Sequence, residues 1–346
     1  MRIALVGTGV QAIPPVGYGG VERTIAEYAD ALRTAGHDPV VLNRVRHGRS
    51  LDEYLFALSV AGLVRSSAAD VVHASTPVVA NRLALAKIPY FYTTHSRHWF
   101  DRSGARERFG YWLERRAVAR ARRTVALTSG LRDEMARVVP GARDRLAVIP
   151  IGVDTDRFRP DPDARTGRVA LGVGIVRPMK RWELAATAAQ EAGWSFRLVG
   201  PTPDREYADR IRSLGDRVEL LGELTEDELR REYARADVLL HPSRVEVLAG
   251  AVLQGLSAGL PAVGAEPIAS LIAPGVTGWT APPGSPDPAI GAFLLDRLRT
   301  LSDAGVRGRM GIAARAVAQA QYSWASVVAA HLTLYAAAVP PGAGRG

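Results

Sequence analysis

MRIALVGTGVQAIPPVGYGGVERTIAEYADALRTAGHDPVVL, residues 1–42, holds a short apolar strand, a Gly/Pro loop, an amphipathic helix and a second strand. Arg2–Val6 reads as a strand, and its Ile3–Val6 is an unbroken apolar run, the pattern of a strand buried on both faces. Over Val21–Ala35, Ile25, Tyr28, Ala29 and Leu32 recur at i, i+3, i+4 and i+7, which places them on one helix face. Gly36 stops the helix and Pro39–Leu42 resumes a strand. Strand, helix and strand in this order make a parallel βαβ unit, the seed of a doubly wound sheet.

The same alternation continues outward through Val71–His73, Tyr90–Thr93, Thr124–Leu127 and Leu146–Ile149. It breaks where Pro150, Gly152, Pro160 and Pro162 fall among charged residues, the signature of a linker. It then restarts with strands at Ala170–Val173, Ser195–Val199, Val218–Leu220, Val238–Leu240 and Pro261–Val263. Helices are expected at Glu183–Glu191, Tyr207–Leu214, Glu226–Arg235, Ala249–Ala258, Ile290–Leu301 and Arg307–Ala320. The chain's 346 residues suit about two domains. The expected division is an N-terminal α/β domain over 1–160, a second over 166–322, and a last helix over 323–338 capped by Ser323.

Composition excludes several classes. Hydrophobic residues are 47% and charged residues 23%, so the chain folds rather than staying disordered. With no cysteine there is no disulfide scaffold, thiolate zinc site or thiol nucleophile. The net charge of +9 comes from 44 basic residues, of which only Lys87 and Lys180 are lysine. That skew reads as codon bias toward arginine, so no nucleic-acid partner is inferred from it. The N-terminal apolar run is too short for a signal peptide, and the most apolar window, Val247 to Ala265, is interrupted by Gln254, glycines and Pro261. A cytoplasmic protein is expected.

Two glycine clusters compete for a phosphate-binding role. Gly7-Thr-Gly9-Val-Gln-Ala12 matches a dinucleotide fingerprint, but Pro14, Pro15, Gly17, Gly19 and Gly20 follow, so no helix begins at its glycines. Tyr18-Gly19-Gly20-Val21-Glu22 does lead into a helix, where free N–H groups and the helix dipole suit a phosphate.

The segments IPPVGYGGVERTIAEYADALRTAGHDPVVL, VALTSGLRDEM, VIPIGVDTDRFRP, LHPSRVEVLAGAVLQGLSAGLP, GVTGW and the YSW before the last helix occur in this order. Together they resemble family 4 retaining glycosyltransferases. The resemblance implies the GT-B fold, two Rossmann-like domains facing across a cleft, and no metal or other cofactor. It implies a nucleoside-diphosphate sugar as donor (UDP-, GDP- or ADP-linked) and a hydroxyl acceptor.

Residue by residue, the resemblance puts Gly19 and Gly20 against the donor diphosphate and His95 near the donor sugar. Lys180 and Arg177 would neutralise the leaving diphosphate, although the usual arginine place holds Ile175. Glu246, followed by Val247, Leu248 and Ala249, would bind the donor sugar. Gln254 stands where a second glutamate touches the ribose, and an eight-residue spacing would put it two helical turns from Glu246 on one face. Ile151, Val247, Ala249 and Ser270 also depart from the pattern. Tyr18, Arg97 and His98 are acceptor-side candidates. Such departures leave a catalytically weak nucleotide-sugar-binding scaffold as the alternative.

Asp101–Arg123 carries eight arginines, with Phe109, Trp112, Leu113, Ala117 and Ala121 at helical spacing. Two readings stay open: a surface helix whose apolar stripe faces the core, or peripheral contact with an anionic membrane.

Overall fold

A computed structural model describes residues 1–17, 19–45, 50–95, 99, 104–165, 167–247 and 249–338. Tyr18, Arg97, His98 and Leu248 lie outside the described residues. The chain divides into two compact units, Met1–Gly152 with Trp324–Gly346, and Val153–Ser323.

In chain order the first unit runs β1 (Arg2–Val6), α1 (Gly20–Thr34), β2 (Asp38–Leu42), α2 (Ser50–Ser67), β3 (Val71–Ala74), α3 (Pro77–Leu85), β4 (Phe91–Thr93), α4 (Ala105–Arg120), β5 (Arg123–Ala126), α5 (Ser129–Val138) and β6 (Leu146–Val148). The second has β7 (Val169–Val173), α6 (Trp182–Glu191), β8 (Ser195–Val199), α7 (Arg205–Arg212), β9 (Val218–Gly222), α8 (Glu226–Arg235), β10 (Val238–His241), α9 (Gly250–Ser257), β11 (Ala262–Gly264), β12 (Gly278–Thr280), α10 (Asp287–Thr300) and α11 (Ala304–Val317). The last helix, α12 (Trp324–Ala338), returns to the first unit.

Each unit is built on a six-stranded parallel sheet. The strand orders are β2-β1-β3-β4-β5-β6 and β12-β11-β10-β7-β8-β9. In both, the first strand of the unit has neighbours reached in opposite directions along the chain. That reversal leaves a crevice between β1 and β3 in one unit and between β7 and β10 in the other. Open α/β sheets bind ligands at the carboxyl ends of strands beside such a crevice.

Ile25, Tyr28, Ala29 and Leu32 of α1 are buried, as their spacing requires, against Ile3, Leu5, Val71 and Phe91. Val328 and Tyr335 of α12 complete this core. In the second unit, Trp182, Trp194 and Phe196 are fully buried under α6 and α10. Burying a ring of this kind contributes roughly 3 kcal/mol.

The division falls between Gly152 and Val153, inside the linker marked by Pro150, Gly152, Pro160 and Pro162 and before the expected domain end at 160. Residues 153–160 are tied to the second unit by polar bonds and one ring contact. Arg315 donates to the carbonyls of Thr155 (2.6 Å) and Phe158 (3.1 Å), and Ser257 Oγ donates to Phe158 O (2.6 Å). Phe158 also packs edge-on against Tyr233.

The apolar stripe read from Asp101–Arg123 splits: Ala117 and Ala121 are buried, while Phe109 and Trp112 stay at the surface. Phe109 and Trp112 are 51% and 46% exposed and stack on one another, with Arg116 over the Trp112 ring. The face of α4 turned inward is Gly110, Glu114, Ala117 and Val118. Glu114 rotates the helix this way because its carboxylate accepts bonds from Tyr92 OH (2.8 Å) and Trp99 Nε1 (3.2 Å).

Candidate functional site

In the second unit the crevice between β7 and β10 is lined by two loops. After β7 the chain turns sharply at Gly174, whose φ of +151° favours glycine. It then forms a short 3-10 turn, Pro178–Lys180. After β10 it runs through Pro242–Ala249 before α9 begins. Arg244 N donates to Met179 O (2.9 Å) and fastens the two loops together.

Lys180 and Glu246 meet across this crevice. The Lys180 ammonium makes an ion pair with Glu246 Oε1, and both side chains are almost nine-tenths buried. His241 Nε2, at the end of β10, bonds the same oxygen at 2.8 Å. Burial works to raise the Glu246 carboxyl, but the bonds and charges from His241 and Lys180 outweigh it and hold it at about 2. Glu246 is therefore an ionised acceptor at neutral pH, and its Oε2 accepts no bond among the described residues.

Arg177, the second expected cation, precedes the 3-10 turn and is exposed, with no ion pair to the described residues. Its guanidinium is free to meet an anion from solvent. Arg181 and Arg244 are instead engaged by Asp287, at 3.2 and 2.6 Å.

Gln254 lies on α9, but Glu246 does not. The helix begins at Gly250, so the expectation of one shared helix face is corrected: Glu246, Val247 and Ala249 belong to the preceding loop. The break is marked only by Gly250, the first residue of the helix, behind Ala249, a poor N-cap. Ala249 offers no side-chain cap, leaving the first N–H groups of α9 open to an anion or hydroxyl. The carbonyl oxygen of Gln254 accepts from Tyr233 OH at 3.0 Å, so its amide N–H₂ is the part left to bind a ligand.

In the first unit, Gly19, Gly20 and His95 are the expected residues that are described. α1 starts at Gly20, so no helix begins at Gly7 or Gly9. Gly9 instead adopts φ +74° and donates its N–H to Asn43 Oδ1 (2.8 Å). A Cβ at Gly19 would strike Gln11 Oε1 at 2.7 Å and Pro15 at 2.8 Å, whereas a Cβ at Gly20 would meet nothing. Gly19 is thus explained by its own loop. Gly20 leaves the end of α1 clear for a ligand. Thr8 Oγ1 donates to buried Glu22 at 2.6 Å and anchors that end.

His95 follows β4 and forms part of the wall of a pocket with Tyr28, His73, Thr93, Trp324 and His331. The pocket encloses about 450 Å³, counted out to its open mouth. Burial lowers both His95 and His331 to about 4, the latter despite a bond to Val327 O. Burial and the neighbouring histidines hold His73 well below its usual value. His73 is fixed on both nitrogens, by Tyr335 OH (2.5 Å) and Thr93 Oγ1 (2.7 Å), and Tyr335 OH also meets Tyr28 OH at 3.0 Å. No local pattern in the sequence groups His73, His331 and Tyr335: Tyr335 lies 262 residues from His73 and 307 from Tyr28.

Two doubly wound sheets, one with a buried cation–carboxylate pair at its crevice, define a two-domain enzyme of the GT-B type. Comparison with known proteins carries this further. A model of Glycosyltransferase Family 4 matches residues 18–157, and one of Glycosyl transferases group 1 matches residues 173–295. The alpha-maltose-1-phosphate synthase of Mycobacterium tuberculosis is 30% identical, over 97% of this chain and 99% of its own. Among solved structures, sucrose-phosphate synthase from Thermosynechococcus elongatus superposes with a TM-score of 0.80 at 18% identity, covering 96% of this chain and 98% of its own. HepE of Anabaena, in complex with UDP and glucose, gives 0.74 at 18% identity, covering 97% and 100%. The chain belongs to glycosyltransferase family 4 and has glycosyltransferase function.

Proposed function

We propose that the chain transfers a hexose from a nucleoside-diphosphate sugar to a hydroxyl acceptor with retention at the anomeric carbon, and without a metal. The observation that carries this is the Lys180–Glu246 pair at the β7/β10 crevice, a cation beside a carboxylate that stays ionised. In the transition state the bond from the anomeric carbon to the diphosphate breaks and the bond to the acceptor oxygen forms. The acceptor proton passes to the departing phosphate oxygen on the same face. Negative charge grows on the diphosphate, and Lys180 and Arg177 stabilise it.

Glu246 Oε2 accepts from the sugar hydroxyls, Val247 and Ala249 lie before the open N–H groups of α9, and Leu248 is kept as a donor-side candidate. Gln254 donates to the ribose, Gly19 and Gly20 approach the phosphate, and His95 stands at the sugar. As a neutral ring His95 accepts or donates a hydrogen bond rather than carrying charge. Tyr18, Arg97 and His98 are assigned to the acceptor side. Related folds hold UDP with glucose in HepE and ADP in a plant starch synthase, in support of a nucleotide donor.

Thermal unfolding with UDP, GDP and ADP tests the donor. The matching nucleotide at 100 times its Kd stabilises the protein by about 2.7 kcal/mol. Transfer from the corresponding sugar nucleotide, with the anomeric product read by NMR, tests the rest. Binding without transfer across an acceptor series favours the scaffold reading.

A peripheral contact with anionic membrane is the second proposal, carried by exposed Phe109 and Trp112 beside Arg116 on α4. No helix among the described residues is long and apolar enough to cross a membrane. Vesicles containing anionic lipid should sediment the protein, and Trp112→Ser should weaken that binding. Equal binding to neutral vesicles overturns the proposal.

A further inference from the structure

Two donors of very different rigidity converge on Glu246 Oε1. Lys180 reaches it on a four-carbon stem from a 3-10 turn. His241 reaches it from inside a strand: its backbone pairs in register with Gly264 and accepts a bond from Ala265 N. The imidazole is only 2% exposed and packs edge-on against buried Trp182, with ring centroids 5.9 Å apart. One of these donors can move and the other cannot.

The proton on the ring can be placed. An ionised carboxylate only accepts, so His241 Nε2 carries the hydrogen. Nδ1 is buried and has no partner among the described residues. The ring's Nε2–H is aimed at Glu246.

We propose that His241 is a positioning residue that keeps Glu246 oriented and ionised while Lys180 transfers its attention from Glu246 to the donor diphosphate. This rests on the donor reading above and adds a step to it. At rest, Lys180 and Glu246 satisfy each other. When the diphosphate arrives, Lys180 turns to it, and a buried carboxylate would lose its strongest partner. His241 remains on Oε1, so Oε2 keeps its direction toward the sugar. The sequence assigns His241 no role of its own because it falls just past the strand read as Val238–Leu240.

The test compares His241→Leu, which removes the donor, with His241→Gln, whose amide can still donate. On the sugar nucleotide that supports transfer, the leucine variant should lose at least tenfold in kcat with donor KM changed less than threefold. Glutamine should recover most of kcat. In a Glu246→Gln background, His241→Leu should cost little more, because its effect runs through Glu246. Wild-type kcat in the leucine variant, or full additivity with Glu246→Gln, overturns the proposal. Should the leucine variant not fold, His241→Asn, whose shorter amide falls away from Glu246, takes its place. A second readout needs no donor: in carbon-13 glutamate-labelled free protein, His241→Leu should raise the titration point of Glu246, and an unchanged titration overturns the proposal. Absence of any nucleotide binding by the wild type overturns the donor reading instead, and the titration then decides whether His241 holds Glu246.

Discussion

The two units share one topology and place opposite chemistry at their crevices. Between β7 and β10 sit a buried ammonium and a carboxylate held at about 2. Between β1 and β3 sit imidazoles that burial keeps neutral, bonded to hydroxyls or to backbone. The backbone frame is therefore indifferent to charge; what differs is whether a buried polar group finds a charged partner or a neutral one. A crevice with fixed charges suits a diphosphate whose charge grows during reaction. One built from neutral hydrogen-bonding groups suits hydroxyls.

The sharpest way to break this contrast is to remove the charge on one side. Lys180→Ala should lower kcat/KM roughly a hundredfold, the usual scale for losing one stabilising group. Circular dichroism should be unchanged, and wild-type rates would end the assignment.

Acid provides the next effect. His73, His95 and His331 have folded-state pKa values below the unfolded value of about 6.5. Below that pH the unfolded chain binds protons that the folded unit refuses. Stability is thus intact above about pH 6.5 and falls toward pH 4, by about 1.4 kcal/mol per pH unit for each proton. Glu246 is depressed, so its contribution is lost only below its ordinary carboxyl range, toward 2. Urea melts between pH 6.5 and 5 should therefore show the first unit weakening, and His331→Gln should flatten that slope.

Tyr335→Phe is smaller. It removes the hydroxyl shared by His73 and Tyr28 and should cost about 1–3 kcal/mol in a urea melt. Smallest of all, Gln254→Glu restores a charge-assisted acceptor for a ribose hydroxyl and should tighten nucleotide binding by a few fold in calorimetry. No change would mean that Gln254 faces no ribose.

Much of the frame was legible because parallel strands are short apolar runs and helices repeat at 3.6. Arg2–Val6, Ser195–Val199 and Glu226–Arg235 fall where their patterns put them. β12 was missed as a strand because Gly278-Trp-Thr280 is too short to show a period. Lys180 and Glu246 were legible as residue types in order along the chain, and the structure brings them together. His241 was not, since histidine at a strand end has no local signature. The orientation of α4 was left open by the sequence: its stripe is divided, with Ala117 and Ala121 inside beside Glu114, and Phe109 and Trp112 outside.

The position of α12 sets an order of events during synthesis. The first unit's core needs Val328 and Tyr335, yet all of Val153–Ser323 is made before them. At about 5–20 residues per second, that interval is on the order of 10 s. Over that time the first unit still lacks a wall. His73 has no Tyr335 to bond, and Tyr28 and Phe91 lack the ring that later covers them. The N-terminal half of the chain cannot complete its core until the C-terminal helix has been made.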